Sequence, residues 1–467
     1  MIPIVIISFN NYKYVDNTIK QLEKINKEYC NNIIIVDNES ICKDTIAYLK
    51  TLPYQIIYNK NNGPWICPEV NAHIYDMLPD KFIITDPDMQ FNQNLPINFI
   101  EILANLSDKY QANRVGFALD ISDYDKMYQM PYINDKTIYE WESQFWNNMI
   151  PDDDYELYVQ DIDTTFCLVN KKYMDIPCKI RIAGNFTAKH LPWYIENPLF
   201  NTYELYLSLF KNTGISTTAK MILQYMQEKY VKIIKRDETF IIEKSDSNIS
   251  FWNNIYTNWE SETFDVFDKF LSKDKMFIDI GSWIGTTSMY GSRKSKHVFC
   301  IEADTQSFQD LSRNMKTNCT NNYTLIHNAI YHSDNIDIKF GKNKFLDDSK
   351  MNDSTSQIYL DNNIQDSYDS YFIITISLQS IINKYNIKQG DLSLIKVDIE
   401  GGEEHILEDL FRIHKEYQVP LYISFHYEWW NNKDLNRFSF LSEELKNNIT
   451  CNPFISILLL YTLEDLK

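Results

Sequence analysis

Twice along this chain, short apolar runs alternate with amphipathic stretches, and several of those runs close on an acidic residue. Such alternation builds βαβ units and a mainly parallel sheet, whose ligands bind beyond the carboxyl ends of the strands. In the first series the strands are Pro3–Ser8, Asn32–Val36 closing on Asp37, Gln55–Tyr58, and Lys81–Thr85 closing on Asp86. Helices fall between them at Tyr14–Tyr29, Thr45–Leu52 and Pro68–Leu78. The second series begins near residue 275, with strands at Lys275–Ile280, Val298–Ile301 closing on Glu302, Tyr323–Ile326, Leu392–Val397 closing on Asp398, and Leu421–Phe425. Two series predict two α/β domains, 1–215 and 251–467, joined by a polar connector over 216–250 that contains one strand candidate, Phe240–Glu243. The stretch Gly341–Ser370, rich in Asp, Asn and Ser, reads as a long surface loop or hairpin, and Phe454–Tyr461 reads as a final buried strand.

Composition narrows the partners. Of 467 residues, 44% are hydrophobic and 23% charged, which suits folded domains rather than long disorder. Acidic residues outnumber basic ones 64 to 45, a net charge of −19, so phosphate backbones and anionic lipid surfaces would repel the chain and no nucleic-acid partner is expected. The eight cysteines form no CxxC pair, which leaves a zinc ribbon unsupported, and scattered thiols fit a reducing compartment. The apolar stretch at Met1–Ser8 is too short for a signal peptide, and no run approaches the ~20 residues of a membrane span, so a cytoplasmic location is expected.

In the first half the string Phe82-Ile-Ile-Thr-Asp86-Pro-Asp88 sets two carboxylates at the end of a buried strand. Hard divalent cations take oxygen ligands and keep open positions for substrate phosphates. Asp-x-Asp alone is a common surface string, and it recurs here at Asp123/Asp125, Asp152/Asp154 and Asp161/Asp163. Taken with Pro3-Ile-Val-Ile-Ile-Ser-Phe-Asn10 and Ile33-Ile-Ile-Val-Asp37-Asn38, however, the string makes this half resemble a GT-A glycosyltransferase of the family 2 type. The resemblance implies that Ser8 and Asn10 line a nucleotide-sugar pocket, that Asp37 faces the base, and that Asp86 and Asp88 hold Mn²⁺ or Mg²⁺ on the diphosphate. It offers His190 as a third metal ligand, with a structural histidine as the alternative. It also implies a carboxylate general base on the acceptor side, Asp161 or Asp163 with Asp163 favoured, or else a cap at that place. Trp193 and Tyr194 would stack on a sugar or fill the core, and Asn59–Pro64, with Gly63, would edge the pocket or form a plain turn.

The second half carries Phe277-Ile-Asp279-Ile-Gly281-Ser-Trp-Ile-Gly285, a strand running into glycines and a helix start. It is neither a full GxGxxG nor a Walker motif. Glu302 closes the next strand about 20 residues on, where an acid commonly binds ribose hydroxyls. This arrangement resembles an S-adenosylmethionine-dependent methyltransferase, and Leu394-Ile-Lys396-Val-Asp398-Ile-Glu400-Gly401-Gly402-Glu403, with Ile376-Ser-Leu378, narrows the resemblance to the FkbM family. By that resemblance Asp279, Gly281 and Gly285 hold the methionine end, Glu302 the ribose, and Asn328 and Ala329 lie near the adenine. Asp398 and Glu400 face the methyl group as base, as acceptor ligands or as holders of a metal. The chain departs from the family at Gln379, where an aspartate is usual, and in its last strand, Ile423-Ser-Phe-His426-Tyr-Glu428, where His426 reads as a base or as a structural residue.

The expected architecture is therefore two Rossmann-like domains in tandem, a GT-A nucleotide-sugar domain followed by a class I methyltransferase domain. The expected function is a bifunctional glycan-modifying enzyme that uses a nucleotide sugar, a glycan acceptor and S-adenosylmethionine. One rival has the methyltransferase alone active, with the first domain binding glycan or nucleotide. Another has methylation of RNA or protein, and the acidic charge counts against RNA.

Overall fold

The apolar runs of the first series become four parallel neighbours: β1 (Ile4–Ser8), β2 (Ile33–Asn38), β3 (Gln55–Asn59) and β4 (Lys81–Thr85), in the order β3-β2-β1-β4. Every residue of β1 is buried, as befits a central strand covered on both faces. Helix Tyr12–Ile25 buries Tyr14, Val15, Thr18, Ile19 and Leu22, a stripe at helical spacing. In this computed structural model, residues 2–163, 165–210, 216–342, 355–359, 370–451 and 456–460 are described. The chain divides into two units, Met1–Glu228 and Lys229–Lys467.

After residue 88 the first unit's sheet turns mixed. Its further strands are β5 (Met89–Phe91), β6 (Arg114–Phe117), β7 (Met149–Ile150), β8 (Leu157–Val159), β9 (Cys167–Asn170), β10 (Lys179–Ile182) and β11 (Ala188–His190). The nine-stranded sheet runs β3-β2-β1-β4-β9-β6-β10-β8-β7, with β9 antiparallel to both β4 and β6. Strands β5 and β11 pair apart from it as an antiparallel ribbon, with His190 opposite Met89.

The second unit opens with a hairpin, β12 (Tyr230–Lys235) and β13 (Glu238–Glu243). Residues 216–250, expected as a connector, thus carry this hairpin and the helix Thr217–Lys229. The hairpin belongs to a core, because Ile233, Phe240 and Ile242 pack with Trp252, Tyr256 and Phe264; the buried Lys235 and the exposed Ile234 break the in–out pattern in the sequence. There follow β14 (Met276–Ile280), β15 (His297–Glu302), β16 (Tyr323–His327), β17 (Ala329–Ile330), β18 (Asp337–Gly341), β19 (Gln357–Tyr359), β20 (Ser370–Ile376), β21 (Leu392–Val397), β22 (Leu421–Phe425) and β23 (Ser456–Leu460). The main sheet is ordered β16-β15-β14-β21-β22-β23, parallel except for β23, and a smaller sheet is ordered β17-β20-β18-β19. Adjacent residues of β14 serve opposite faces: Phe277 joins the core of Tyr256, Phe264 and Phe267, while Ile278 and Ile280 join that of Leu407, Leu410 and Phe425.

Most of the stretch expected as a loop between Gly341 and Ser370 lies outside the described residues, and its described parts include β19 and the ends of β18 and β20. Of the expected last strand, Ser456–Leu460 is β23, and residues 454, 455 and 461 lie outside the described residues. Both units are α/β. No helix among the described residues is long and apolar enough to cross a membrane.

One close approach fixes the centre of the second unit. Gly281 follows β14 at φ +77°, and a Cβ there would stand 1.7 Å from the Asp398 carbonyl oxygen. Gly281→Ala should therefore cost at least the ~1–2 kcal/mol of left-handed backbone strain, plus the displacement of β21's end, read as a lowered urea midpoint. A second prediction concerns Glu404, whose buried carboxylate accepts the N–H groups of Asn431 (3.0 Å) and Asn432 (3.1 Å) and pairs with Arg437 (3.0 Å). Burial works against its charge, yet His405 and those N–H groups hold its pKa down at about 2. A depressed folded pKa stabilises above the ordinary value of 4.5 and loses that stabilisation as pH falls toward 2. Glu404→Gln should cost about 1–3 kcal/mol at pH 7 and flatten the acid limb of the stability profile measured by urea unfolding.

Candidate functional sites

In the second unit the carboxyl ends of β14, β15 and β21 open on a cavity of about 320 Å³. Lys396, on β21 and almost wholly buried, reaches beneath the glycine turn. Its Nζ lies 3.1 Å from the Gly281 carbonyl, 3.4 Å from Asp279 Oδ1 and 3.6 Å from Asp398 Oδ2. Burial opposes the ammonium, but Asp279, Asp398 and Glu260 outweigh it and hold the Lys396 pKa above the usual lysine range. Asp279 is fully buried, and its Oδ2 accepts the hydroxyls of Thr287 (2.8 Å) and Ser288 (2.5 Å). It anchors the following helix and does not line the cavity, and neither does Gly285, which begins that helix at φ +93° against Leu311.

Glu302, at the end of β15, does line the cavity. Its Oε2 accepts the Trp283 N–H and its Oε1 the Asp304 N–H, both at 2.7 Å. Burial pushes its pKa up to about 7 against the pull of these donors. Asn328 and Ala329 also line the cavity, and the Asn328 amide donates to the Ile374 carbonyl (3.0 Å). The aromatic side chains Trp259, Trp283 and Trp429 form part of its wall.

Across from Glu302 the cavity meets Asp398, Glu400 and His426. The His426 Nε2 lies 3.3 Å from Glu400 Oε2 and 3.8 Å from Asp398 Oδ1, and its Nδ1 lies 3.1 Å from Glu403 Oε1. The imidazole stacks on Trp429 with ring centroids 4.9 Å apart. Burial would lower the His426 pKa, but Glu400, Glu403 and Asp398 together push it up to about 10. Glu403 is fully buried and also accepts the Trp430 indole N–H (3.1 Å) and the Gly401 N–H (3.2 Å). Gln379 does not line the cavity; its side chain bonds Arg412 and Asn383.

In the first unit a larger cavity of about 910 Å³ is lined by Asp86, Asp88, Asp161, Asp163 and His190. The turn carrying Asp86 and Asp88 is pinned by Thr18, whose hydroxyl donates to the Pro87 carbonyl (2.6 Å). Pairing of β11 with β5 brings His190 Nε2 to 3.4 Å from Asp88 Oδ2. Asp88 Oδ1 and His190 Nδ1 are buried without a hydrogen-bond partner. Burial would lower the His190 pKa, but Asp88, Asp86 and Asp163 raise it above its ordinary value. Asp161 bonds Lys179 (2.8 Å), which lowers its pKa.

Ser8, Asn10 and Asp37 do not line this cavity. The Asp37 carboxylate takes the Ser40 hydroxyl (2.6 Å) and N–H (3.2 Å), and Asn10 Oδ1 takes the N–H groups of Ile41 (2.7 Å) and Cys42 (2.8 Å). Trp193 lines it, whereas Tyr194 is buried and bonds Asp123 (2.8 Å). At the edge, the Asn59 amide donates to Asn38 (3.1 Å) and Asn71 (3.0 Å), Asn38 donates to the Gly63 carbonyl (3.0 Å), and Asn71 donates to the Trp65 carbonyl (2.8 Å). Gly63 itself lines the cavity at φ +88°.

Sequence reasoning missed the buried ion pair of Glu142 with Arg181 on the wall of this cavity. Its partners lie on distant segments with no local motif. It also passed over the roles of Lys396, Glu403 and Glu260, although the first two stand inside the quoted string from Leu394 to Glu403. Among the described residues, the group with its carboxylate and imidazole ligand atoms all within 4.8 Å of one another is Asp398, Glu400 and His426; Asp86, Asp88 and His190 do not make one.

Residues 279–448 match the family model described as Methyltransferase FkbM domain. No curated protein matches the chain at a significant level. Among solved structures, the methyltransferase FkbM of Methylobacillus flagellatus KT is similar at 16% identity over 55% of this chain and 58% of its own, with a TM-score of 0.27. A Streptococcus mutans protein in complex with SAH aligns at 14% identity over 43% of this chain and 96% of its own, TM-score 0.27. A mannosyltransferase from Pyrobaculum calidifontis in complex with GDP-Man and Mn²⁺ aligns at 11% identity over 27% of this chain and 37% of its own, TM-score 0.21. Structural likenesses this slight decide nothing about activity. The family match does decide one thing: residues 279–448 carry an FkbM methyltransferase domain.

Proposed function

We propose that the chain is a bifunctional glycan-modifying enzyme. Its second unit would be an S-adenosylmethionine-dependent O-methyltransferase acting on a sugar hydroxyl, and its first unit would transfer a sugar from a nucleotide sugar. The observation that carries the proposal is the acid-lined cavity at the strand ends of each unit, with Glu302 and Asp398 in one and Asp86 and Asp88 in the other.

The second cavity fits a nucleoside-bearing methyl donor. A buried acid, Glu302, stands one strand away from a glycine turn, the half-buried Asn328 supplies an amide, and Ile301, Ala329 and Ile330 supply an apolar wall. Such a donor, when bound, supplies an electrophilic methyl group. Glu302, already oriented by two backbone N–H groups, would accept from the ribose hydroxyls. Asp398, Glu400 and His426 make up the acceptor end, where a hydroxyl is oriented and its proton taken up.

The first cavity fits a divalent cation through the orphaned Asp88 Oδ1 and the carboxylate beside it at Asp86. A bound cation there would neutralise charge on a departing diphosphate. Asp163 is the favoured base, with Asp161 engaged by Lys179. Linking the two units in one chain raises the concentration of one site's product at the other. A second reading, in which the first unit only binds glycan or nucleotide, is favoured by one observation: its acidic pair and His190 do not draw together as a compact ligand set.

Both readings are separated by incubating the chain with labelled S-adenosylmethionine and a panel of nucleotide sugars and acceptors, with products read by mass spectrometry. Glu302→Ala should weaken donor binding in calorimetry by about 1.5–3 kcal/mol, roughly ten- to hundredfold, and leave sugar transfer intact. Asp88→Ala should lower sugar transfer by roughly a hundredfold or more, since a bound cation contributes several kcal/mol of charge stabilisation, and should leave donor binding unchanged. Methylation without sugar transfer from any nucleotide sugar supports the second reading, and an unmodified chain that binds no S-adenosylmethionine overturns the methyltransferase assignment.

A further inference from the structure

We infer that Asp398, Glu400 and His426 form a divalent-cation site at the acceptor end of the second unit's cavity, with Glu403 orienting the imidazole toward the ion. The inference deepens the methyl-transfer reading and rests on it for the ion's role.

Spacing is the first support. Metal–ligand bonds of ~2.1 Å put neighbouring donors about 3.0 to 3.4 Å apart. The His426 Nε2 lies 3.3 Å from Glu400 Oε2 and 3.8 Å from Asp398 Oδ1, and all three ligand atoms lie within 4.8 Å of one another. Chain geometry explains the grouping. Asp398 and Glu400 follow β21 two residues apart, and His426 follows the neighbouring parallel strand β22, so three ligands come from two adjacent strand ends.

The orientation of His426 is a second, independent support. The side chain is 4% exposed, and Nδ1 is taken by the Glu403 carboxylate at 3.1 Å. With Nδ1 held by Glu403, Nε2 points at Asp398 and Glu400, and a cation that displaced its proton would meet the lone pair there. Metal-ligating histidines are held in this way by a carboxylate on the far nitrogen, which fixes tautomer and ring angle. Glu403 is itself fixed by Trp430 and the Gly401 N–H, so the orientation is built in by side chains and backbone together. Trp429, stacked on the ring, blocks its rotation.

Charge is the third. Asp279, Asp398, Glu400 and Glu403 crowd around Lys396 and His426, so even with His426 charged the carboxylates outnumber the cations two to one. Glu400 Oε2 is buried without a hydrogen-bond partner. Carboxylates gathered in this number repel one another, and a further cation among them relieves that repulsion. The mixed imidazole and carboxylate set suits Mn²⁺ or Zn²⁺ better than Mg²⁺ or Ca²⁺, which prefer all-oxygen shells. Three protein ligands leave positions open, where the acceptor oxygen would bind and become more acidic.

The test uses the full chain carrying Asp86→Asn and Asp88→Asn, which removes the first unit's candidate ligands. Titration with Mn²⁺, read as loss of the free-ion electron paramagnetic resonance signal, should show one ion bound per chain, and Zn²⁺ should compete in calorimetry. Glu400→Gln should weaken Mn²⁺ at least tenfold. Glu403→Gln, which touches no ion, should weaken it roughly 10- to 100-fold through the histidine. In both variants S-adenosylmethionine affinity should stay within twofold of the parent, which shows that the cavity is intact. The inference is overturned if the chain binds neither ion, or if Glu400→Gln binds Mn²⁺ as well as the parent. With donor affinity retained, either result leaves an ion pair of His426 with Glu400 only, and the methyl-transfer reading survives. Loss of donor binding in the parent chain would instead sink that reading, while Mn²⁺ binding would still stand or fall on its own titration.

Discussion

The ammonium of Lys396 ties the second unit's cavity together. It is buried, and it touches the last turn of β14 at Gly281 and carboxylates on β14 and beyond β21. Removing one partner from such a buried ionic group costs about 3–5 kcal/mol, because the remaining charge is stranded without water. The contact draws β14 and β21 together at their carboxyl ends, and the Asp398 carbonyl then fills the space a side chain at 281 would need. Parallel pairing of β14 with β15 sets Asp279 opposite Cys300 and carries Glu302 to the cavity's other side. The donor-side acid and the acceptor-side cluster are thereby spaced by strand register rather than by loop conformation.

The two units reach acid-lined cavities by different means. In the second, a lysine under the turn pairs with Asp279 and Asp398. In the first, balance comes from the wall: Lys179 on Asp161 and Arg181 on Glu142. The Glu142 pKa is pushed up to about 7 by burial even so, with Arg181 pulling it down.

What the sequence revealed follows from where each signal resides. Leu392–Val397, Leu421–Phe425 and Lys81–Thr85 match the structure residue for residue, because strands buried on both faces are continuous apolar runs. The glycine turn and Glu302 were legible because spacing along one βαβ unit carries them. Strands β6 to β11 were largely missed: they are two to four residues long, and their burial depends on partners far along the chain. The meeting of His190 with Asp88 depends on the β5–β11 ribbon, and that of Arg181 with Glu142 on a fold no window contains. Ser8, Asn10 and Asp37 were expected to face a ligand; hydrogen bonds to Ser40 and to residues 41 and 42 absorb Asn10 and Asp37, and Ser8 is fully buried at its strand end. Resemblance transfers a position, and local bonding decides which way a side chain is spent.

The amides at the edge of the first cavity have a directional consequence. Asn59 gives hydrogens to Asn38 and Asn71, and each of those passes its own hydrogens on to a loop carbonyl, at Gly63 and Trp65. Oxygen and nitrogen of every member are therefore assigned by its neighbour, and reversing one amide would set donor against donor along the whole relay. The rim from residue 59 to residue 71 thus carries one hydrogen-bond polarity, in which side chains brace a segment that the backbone pairing of Cys67 with Val70 also holds.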